Sequence, residues 1–159
     1  MVSQRDEIEK TVKEHQIDRK RFFEASKQSY QQIIKKIETK FVQKSKHCDG
    51  IHWVNLGRYR PELKCTYVVL NDWSAWMKEL PDIIPLSDTS VYVLFEEAGS
   101  RKYWLYEAYL HELILVLNES YLWGDFYIVS KKYDWLISLD HHDCISYVGE
   151  NLIMDTVTV

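Results

Sequence analysis

Asp140-His141-His142-Asp143 places two imidazoles and two carboxylates within four residues, and it is the one stretch of this sequence whose residue types suggest chemistry. Three kinds of behaviour suit such a cluster. The first is metal binding, which would make the chain a small metal-dependent hydrolase using His141, His142 and Asp143. Zinc requires three or four donors that converge from one side, at about 2.0–2.1 Å for a histidine nitrogen. Adjacent residues of a strand point to opposite faces, so the two imidazoles would meet only across a sharp bend. A further donor would have to come from His111, Cys144, or the group formed by His47, Cys48 and His52. No His-x-Glu, Cys-x-x-Cys or His-Glu-x-x-His spacing supplies it.

The second behaviour is proton transfer, with His142 oriented by Asp143 or Asp140 and titrating near neutral pH. A nucleophile would then be needed. Cys65 and Cys144 are the candidates, but both sit in apolar strand patterns, where a thiol usually packs and stays inert. The third is structural: Asp140 and Asp143 accept backbone N–H groups and hold a turn, with the imidazoles on its rim. The sequence has no phosphate-cradling glycine loop, nucleophile elbow or dinucleotide fingerprint. It is therefore read as non-enzymatic, with no cofactor and no metal expected. As a recognition surface, the rim could combine Asp140, His141, His142 and Asp143 with Tyr103, Trp104, Tyr133 and Trp135 from neighbouring strands, since aromatic rings anchor interfaces.

The elements that must carry these residues are clearest in the second half. Gly124–Val148 reads as three short strands joined by the turns Ser130-Lys131-Lys132 and Asp140–Asp143. Upstream, Val91–Phe95 and Lys102–Tyr106 form a hairpin around Ala98-Gly99-Ser100, and Glu107–Leu117 is helical, burying Leu110, Leu113, Ile114 and Leu117. Cys65–Leu70 is a strand rich in Val, Thr and Tyr. Asp72 caps a helix from Trp73 to Leu80 that Pro81 ends. Ile51–Leu56 is a possible short strand between turns at Asp49-Gly50 and Arg60-Pro61.

Residues 4–44 are helical in two pieces. Ser3 caps the first, with Asp6 completing a capping box, and Ile8 and Val12 make a thin apolar stripe. Asp18 is the expected cap of the second, with Ile17 and Phe22 as a hydrophobic staple. Phe23, Tyr30, Ile33, Ile34, Ile37 and Phe41 would then form its buried face. The order is α-α-β-β-α-β-β-α-β-β-β. Short connections favour a mainly antiparallel sheet covered by helices on one face, an α+β fold with the N-terminal helical pair packed on the sheet.

At 159 residues the chain suits one domain that buries roughly two thirds of its unfolded surface. Charge divides it unevenly. Residues 1–46 hold 12 Lys/Arg against 7 Asp/Glu, while 47–159 hold 8 against 17, giving a basic helical segment and an acidic body. Lys20, Arg21, Lys35 and Lys36 could bind nucleic acid, but interleaved glutamates oppose phosphate binding, and nucleic acid is not the expected partner. Three cysteines without Cys-x-x-Cys spacing argue against a disulfide framework. No signal-like or membrane-length apolar run is present, so a soluble cytoplasmic protein is expected.

The pieces Val93-Leu94-Phe95-Glu96-Glu97, Tyr103-Trp104-Leu105-Tyr106-Glu107 and Tyr127-Ile128-Val129-Ser130-Lys131-Lys132-Tyr133-Asp134-Trp135-Leu136, followed by His141-His142-Asp143, resemble a family of small, uncharacterised bacterial cytosolic domains. The resemblance runs over Tyr92–Tyr147, about the last third of the chain. Where that pattern would place an Asn before the histidines, this chain has Leu139-Asp140. The family's general type is similar to toxin-immunity proteins: short, aromatic, acidic and α+β. It implies a binding protein that neutralises a basic partner, with another protein as that partner and no role at a membrane.

Overall fold

The computed structural model describes residues 2–42, 50–52, 56, 62–100, 102–155 and 157. In chain order the elements are α1 (Gln4–Glu14), β1 (Phe22–Glu24), α2 (Lys27–Phe41), β2 (Cys65–Val69), α3 (Trp73–Ile83), β3 (Ser90–Glu97), β4 (Lys102–Tyr109), α4 (Leu110–Glu119), β5 (Phe126–Ser130), β6 (Trp135–Leu139) and β7 (Cys144–Gly149). All seven strands join one sheet in the order β1-β4-β3-β5-β6-β7-β2, and every pairing is antiparallel. The α+β class and the antiparallel sheet agree with the sequence reading.

Helices cover both faces of the sheet, where the sequence suggested one. Ile8 and Val12 of α1 share a core with α3, α4 and the sheet residues Val93, Tyr106, Ile128, Trp135 and Ile137. Ile33, Ile37 and Phe41 of α2 pack on the other face against Leu94, Leu105, Tyr127 and Leu136. The two N-terminal helices therefore both lie on the sheet, but on opposite faces. Double coverage explains why every residue of β5 and β6 is buried, when an antiparallel strand with one wet face would alternate.

The reason for the opposite placement is a strand between the helices. Asp18 was the expected helix cap. It holds a turn instead: its carbonyl accepts from Arg21 and Phe22 N–H, and its Oδ1 from Lys20 N–H. Phe22–Glu24 then pairs with Ala108–Tyr106. Phe22 is fully buried, with its ring 4.9 Å from that of Tyr106, while Phe23 points outward at 37% exposure. That period-2 pattern belongs to a strand. α2 starts later, at Lys27, under a Ser26 cap.

Three other boundaries moved. β4 runs to Tyr109, and α4 begins at Leu110 rather than Glu107, because Tyr106–Ala108 are paired on one side with β1 and on the other with β3. α3 continues past Pro81 to Ile83. Pro81 gives no N–H to the helix and crowds the carbonyl one turn back, but the chain continues as helix and buries Ile83, with Ile84 buried at its cap. Ile51 and Leu56 are buried beneath α2's face of the sheet; residues 53–55 of the proposed strand, and Asp49, Arg60 and Pro61 of its flanking turns, lie outside the described residues. No helix among the described residues is long and apolar enough to cross a membrane.

α1 begins as expected. Ser3 Oγ accepts from Asp6 N–H, and Ser3 N–H donates to the Asp6 carboxylate. The Ser3 side chain first, and then its backbone N–H, hold the Asp6 carboxyl below its ordinary range. A depressed folded value means that this contribution is present above the unfolded carboxyl range and is lost as pH falls through the folded one. Ser3→Ala is accordingly expected to raise the Asp6 titration midpoint, read by NMR; an unmoved midpoint would exclude the Ser3 hydroxyl as the main cause.

Candidate functional site

The Asp140–Asp143 turn joins β6 to β7 as a tight hairpin. Asp140 N–H donates to Cys144 O, and Asp143 N–H to Asp140 O. Asp140 Oδ1 accepts from His142 N–H at 2.8 Å and from Cys144 N–H at 3.1 Å, as the structural reading of the turn expects. Asp143 takes the left-handed backbone conformation, φ 56°, which Asp tolerates better than most residues. Its carbonyl accepts from Leu70 N–H, tying the turn to the end of β2.

A third carboxylate, Asp125, completes the arrangement. The meander register pairs Phe126 with Leu139, so the residue before β5 stands beside the residue after β6. Asp125 Oδ1 accepts from His141 N–H at 2.8 Å and lies 3.1 Å from His141 Nδ1, while its side chain is 3% exposed. The imidazoles were expected to splay to opposite faces. On this bend they do not: their ring centroids are 4.0 Å apart. Convergence of two rings does not make a metal centre, and among the described residues no group of three or more His, Cys, Asp or Glu side chains could hold a metal ion. His111 stands in the first turn of α4, whereas the last turns of that helix approach the His-His turn; His47 and Cys48 lie outside the described residues.

The turn forms one wall of a cleft of about 490 Å³. Trp73 at the start of α3, Leu117 and Asn118 near the end of α4, and the Ser120–Gly124 connection form the others. Trp73 Nε1 donates to Asn118 Oδ1 at 3.0 Å, and its ring meets Phe126 edge-on at 6.2 Å. Tyr121 and Trp123 lie 5.7 Å apart. Gly124 is required by proximity: a Cβ there would stand 2.4 Å from the Glu96 carbonyl oxygen.

The connection owes its shape to α1. Gln4, 1% exposed, donates from Nε2 to Tyr121 O at 3.0 Å and accepts at Oε1 from Trp123 N–H at 3.1 Å. Ser120 Oγ donates to Thr11 Oγ1 at 2.8 Å. Gln4 and Thr11 share the inner stripe of α1 with Ile8 and Val12, so one helix face both packs the core and holds the loop. At the base of this helix the Glu97 carboxylate accepts from Gln4 N–H and from Trp104 Nε1.

The eight sequence-predicted site residues do not form one patch. Asp140, His141 and Asp143 line the cleft, and the His142 ring lies tilted beside that of His141. Trp104 is occupied by Glu97 and by Lys102, whose Nζ is 4.0 Å from the ring. Tyr103 is 8% exposed and packs on α2's side of the sheet. Trp135 is fully buried, donating to Asp88 Oδ2 at 2.9 Å. Tyr133 lies in the β5–β6 turn, at the opposite end of the strands from His141, with its ring 6.0 Å from that of Tyr92. Burial pushes the Tyr92 phenol up to about 12. It also raises those of Tyr106, which donates to Glu9, and Tyr147, which accepts from Trp76 Nε1. These phenols stay protonated at neutral pH and serve as fixed hydrogen-bonding groups.

Sequence reasoning missed Asp125, Gln4 and the Ser120–Gly124 connection. A polar residue on the inner stripe of α1, and an aspartate directly before a wholly apolar strand, were the available signals. Searches of curated proteins and of solved structures each return no match. A family of unknown function, DUF6756, matches residues 1–158, so that the N-terminal helices fall inside the resemblance as well as the last third, and the chain belongs to that family.

Proposed function

We propose that the protein is a non-enzymatic binding domain that engages a basic protein partner, in the manner of an immunity protein that neutralises a toxin in the bacterial cytoplasm by covering its active surface. The observation that carries this reading is the make-up of the cleft. Aromatic rings and the carboxylates of Asp140 and Asp143 line it, and among the described residues no Lys or Arg does. Residues 47–159 carry an excess of nine acidic groups over Lys/Arg, 17 against 8. A field of that sign speeds encounter with a cationic surface, while rings near the centre of a contact supply affinity.

The test is capture from the native host with the wild-type chain and with a charge-neutralised Asp140→Asn/Asp143→Asn variant, which keeps the turn's acceptor. A basic protein retained by the first and lost by the second, encoded beside this gene and toxic without it, is the expected result. Recovery of the lone chain, or of the same proteins by both baits, would overturn the proposal.

A further inference from the structure

We propose that the cleft beside the His-His turn is a socket for a single arginine side chain of the partner, held by ring stacking and by the Asp140 carboxylate. This rests on the reading of the protein as a binder of basic partners and names the group it grips.

The first support is a contrast within the molecule. Elsewhere, four half-buried rings lie under the chain's own cations: Lys102 over Trp104 at 4.0 Å, Arg21 over Tyr109 at 4.1 Å, Lys131 over Tyr92 at 5.5 Å and Lys36 over Tyr133 at 5.6 Å. The rings of the cleft, Trp73, Tyr121 and Trp123, carry no such cation among the described residues, and Tyr121 is 71% exposed. Tryptophan and tyrosine faces attract guanidinium most strongly where water is displaced.

The second support is Asp140. The residue is buried, at 6% exposure, yet lines the cleft. Both of its turn bonds go to Oδ1, leaving Oδ2 as an acceptor. A buried carboxylate is costly unless it is paired, and a planar guanidinium supplies donors in a geometry suited to it. Asp143 adds a second negative charge at the mouth. Ring faces, a recessed carboxylate and a wall in which no described residue is Lys or Arg together define a cation site, where the acidic residues alone would not.

The test uses the full chain and butylguanidinium chloride as the probe, followed by ¹H–¹⁵N NMR at pH 8, above the ordinary imidazole range, and at fixed ionic strength. Saturable shifts are expected at the Trp73 indole N–H and at the Trp123, Gly124 and His141 amides, with a dissociation constant on the order of a millimolar. The neutral analogue 1-butanol should bind at least about tenfold more weakly. Asp140→Asn keeps the Oδ1 acceptor for the His142 and Cys144 amides but removes the charge. It should weaken the probe about tenfold while leaving the turn's amide signals in place, and Trp123→Leu should weaken it similarly. Equal binding of 1-butanol, undiminished binding to Asp140→Asn, or shifts confined to Trp104 and Tyr109 would overturn the socket. Failure of the probe alongside capture of a basic partner would sink this inference alone; probe binding without any such partner would sink the broader reading and leave the socket standing.

Discussion

Trp135→Ala should unfold the protein far more readily without touching any surface a partner could reach, lowering the unfolding free energy by about 3–5 kcal/mol. The indole is fully buried and among the largest such side chains in the chain. It fills the face of the sheet covered by α1, α3 and α4. Truncation removes its apolar contacts, leaves a cavity that the packed sheet cannot close, and strands the Asp88 carboxylate that accepts from Nε1. A loss of that size is a large part of the roughly 5–15 kcal/mol that stabilises a typical domain. Trp135→Phe should cost less, about 1–3 kcal/mol, since much of the ring volume is kept while the polar contact and the outer part of the indole's packing are lost. Urea denaturation followed by circular dichroism measures both. A change below about 1 kcal/mol for the alanine variant would mean that the indole is not the core residue described.

Gln4→Leu should show the second-largest effect, and it should reach the cleft. The amide satisfies the Tyr121 carbonyl and the Trp123 N–H from within the protein. Leucine matches its size but offers neither bond, so two backbone groups lose partners at about 1–3 kcal/mol each. Thermal unfolding should fall by roughly 5–15 °C for a chain of this length. Gln4→Glu keeps an acceptor for Trp123 but opposes the Tyr121 carbonyl, and should fall between wild type and leucine. The distinguishing readout is butylguanidinium binding, which should weaken in Gln4→Leu even at temperatures where the fold is intact, because the Ser120–Gly124 wall loses its anchor. Unchanged probe affinity in a folded Gln4→Leu protein would show that the wall holds its shape without α1.

What the sequence disclosed and what it concealed differ in range. The capping box at Ser3, the β3–β4 hairpin and the meander from β5 to β7 are written in contacts a few residues apart, and all three are present in the fold. Phe22–Glu24 looked helical because Ile17 and Phe22 satisfy a staple pattern and Phe23 begins an apolar stripe at helical spacing. The strand wins because β4, more than eighty residues away, offers an open edge to Phe22. The same pairing drew Glu107–Tyr109 out of the expected helix. At the site, the turn's own hydrogen bonds were legible, since Asp140 bonds within four residues. Asp125 and Gln4 were not, because their partners lie 16 and 117 or more residues away. Nor could strand alternation place the two imidazoles: once the chain bends at Asp143, the rule for extended backbone no longer applies.

The divide in charge near residue 46 is not a seam along which the molecule could be cut. The basic stretch supplies an outer strand, a lid for each side of the sheet and the brace beneath the cleft, so a shortened protein starting after it would expose two greasy surfaces and lose the brace. Sign of charge and mechanical unity are partitioned differently here: the positive portion helps to hold the negative portion in shape.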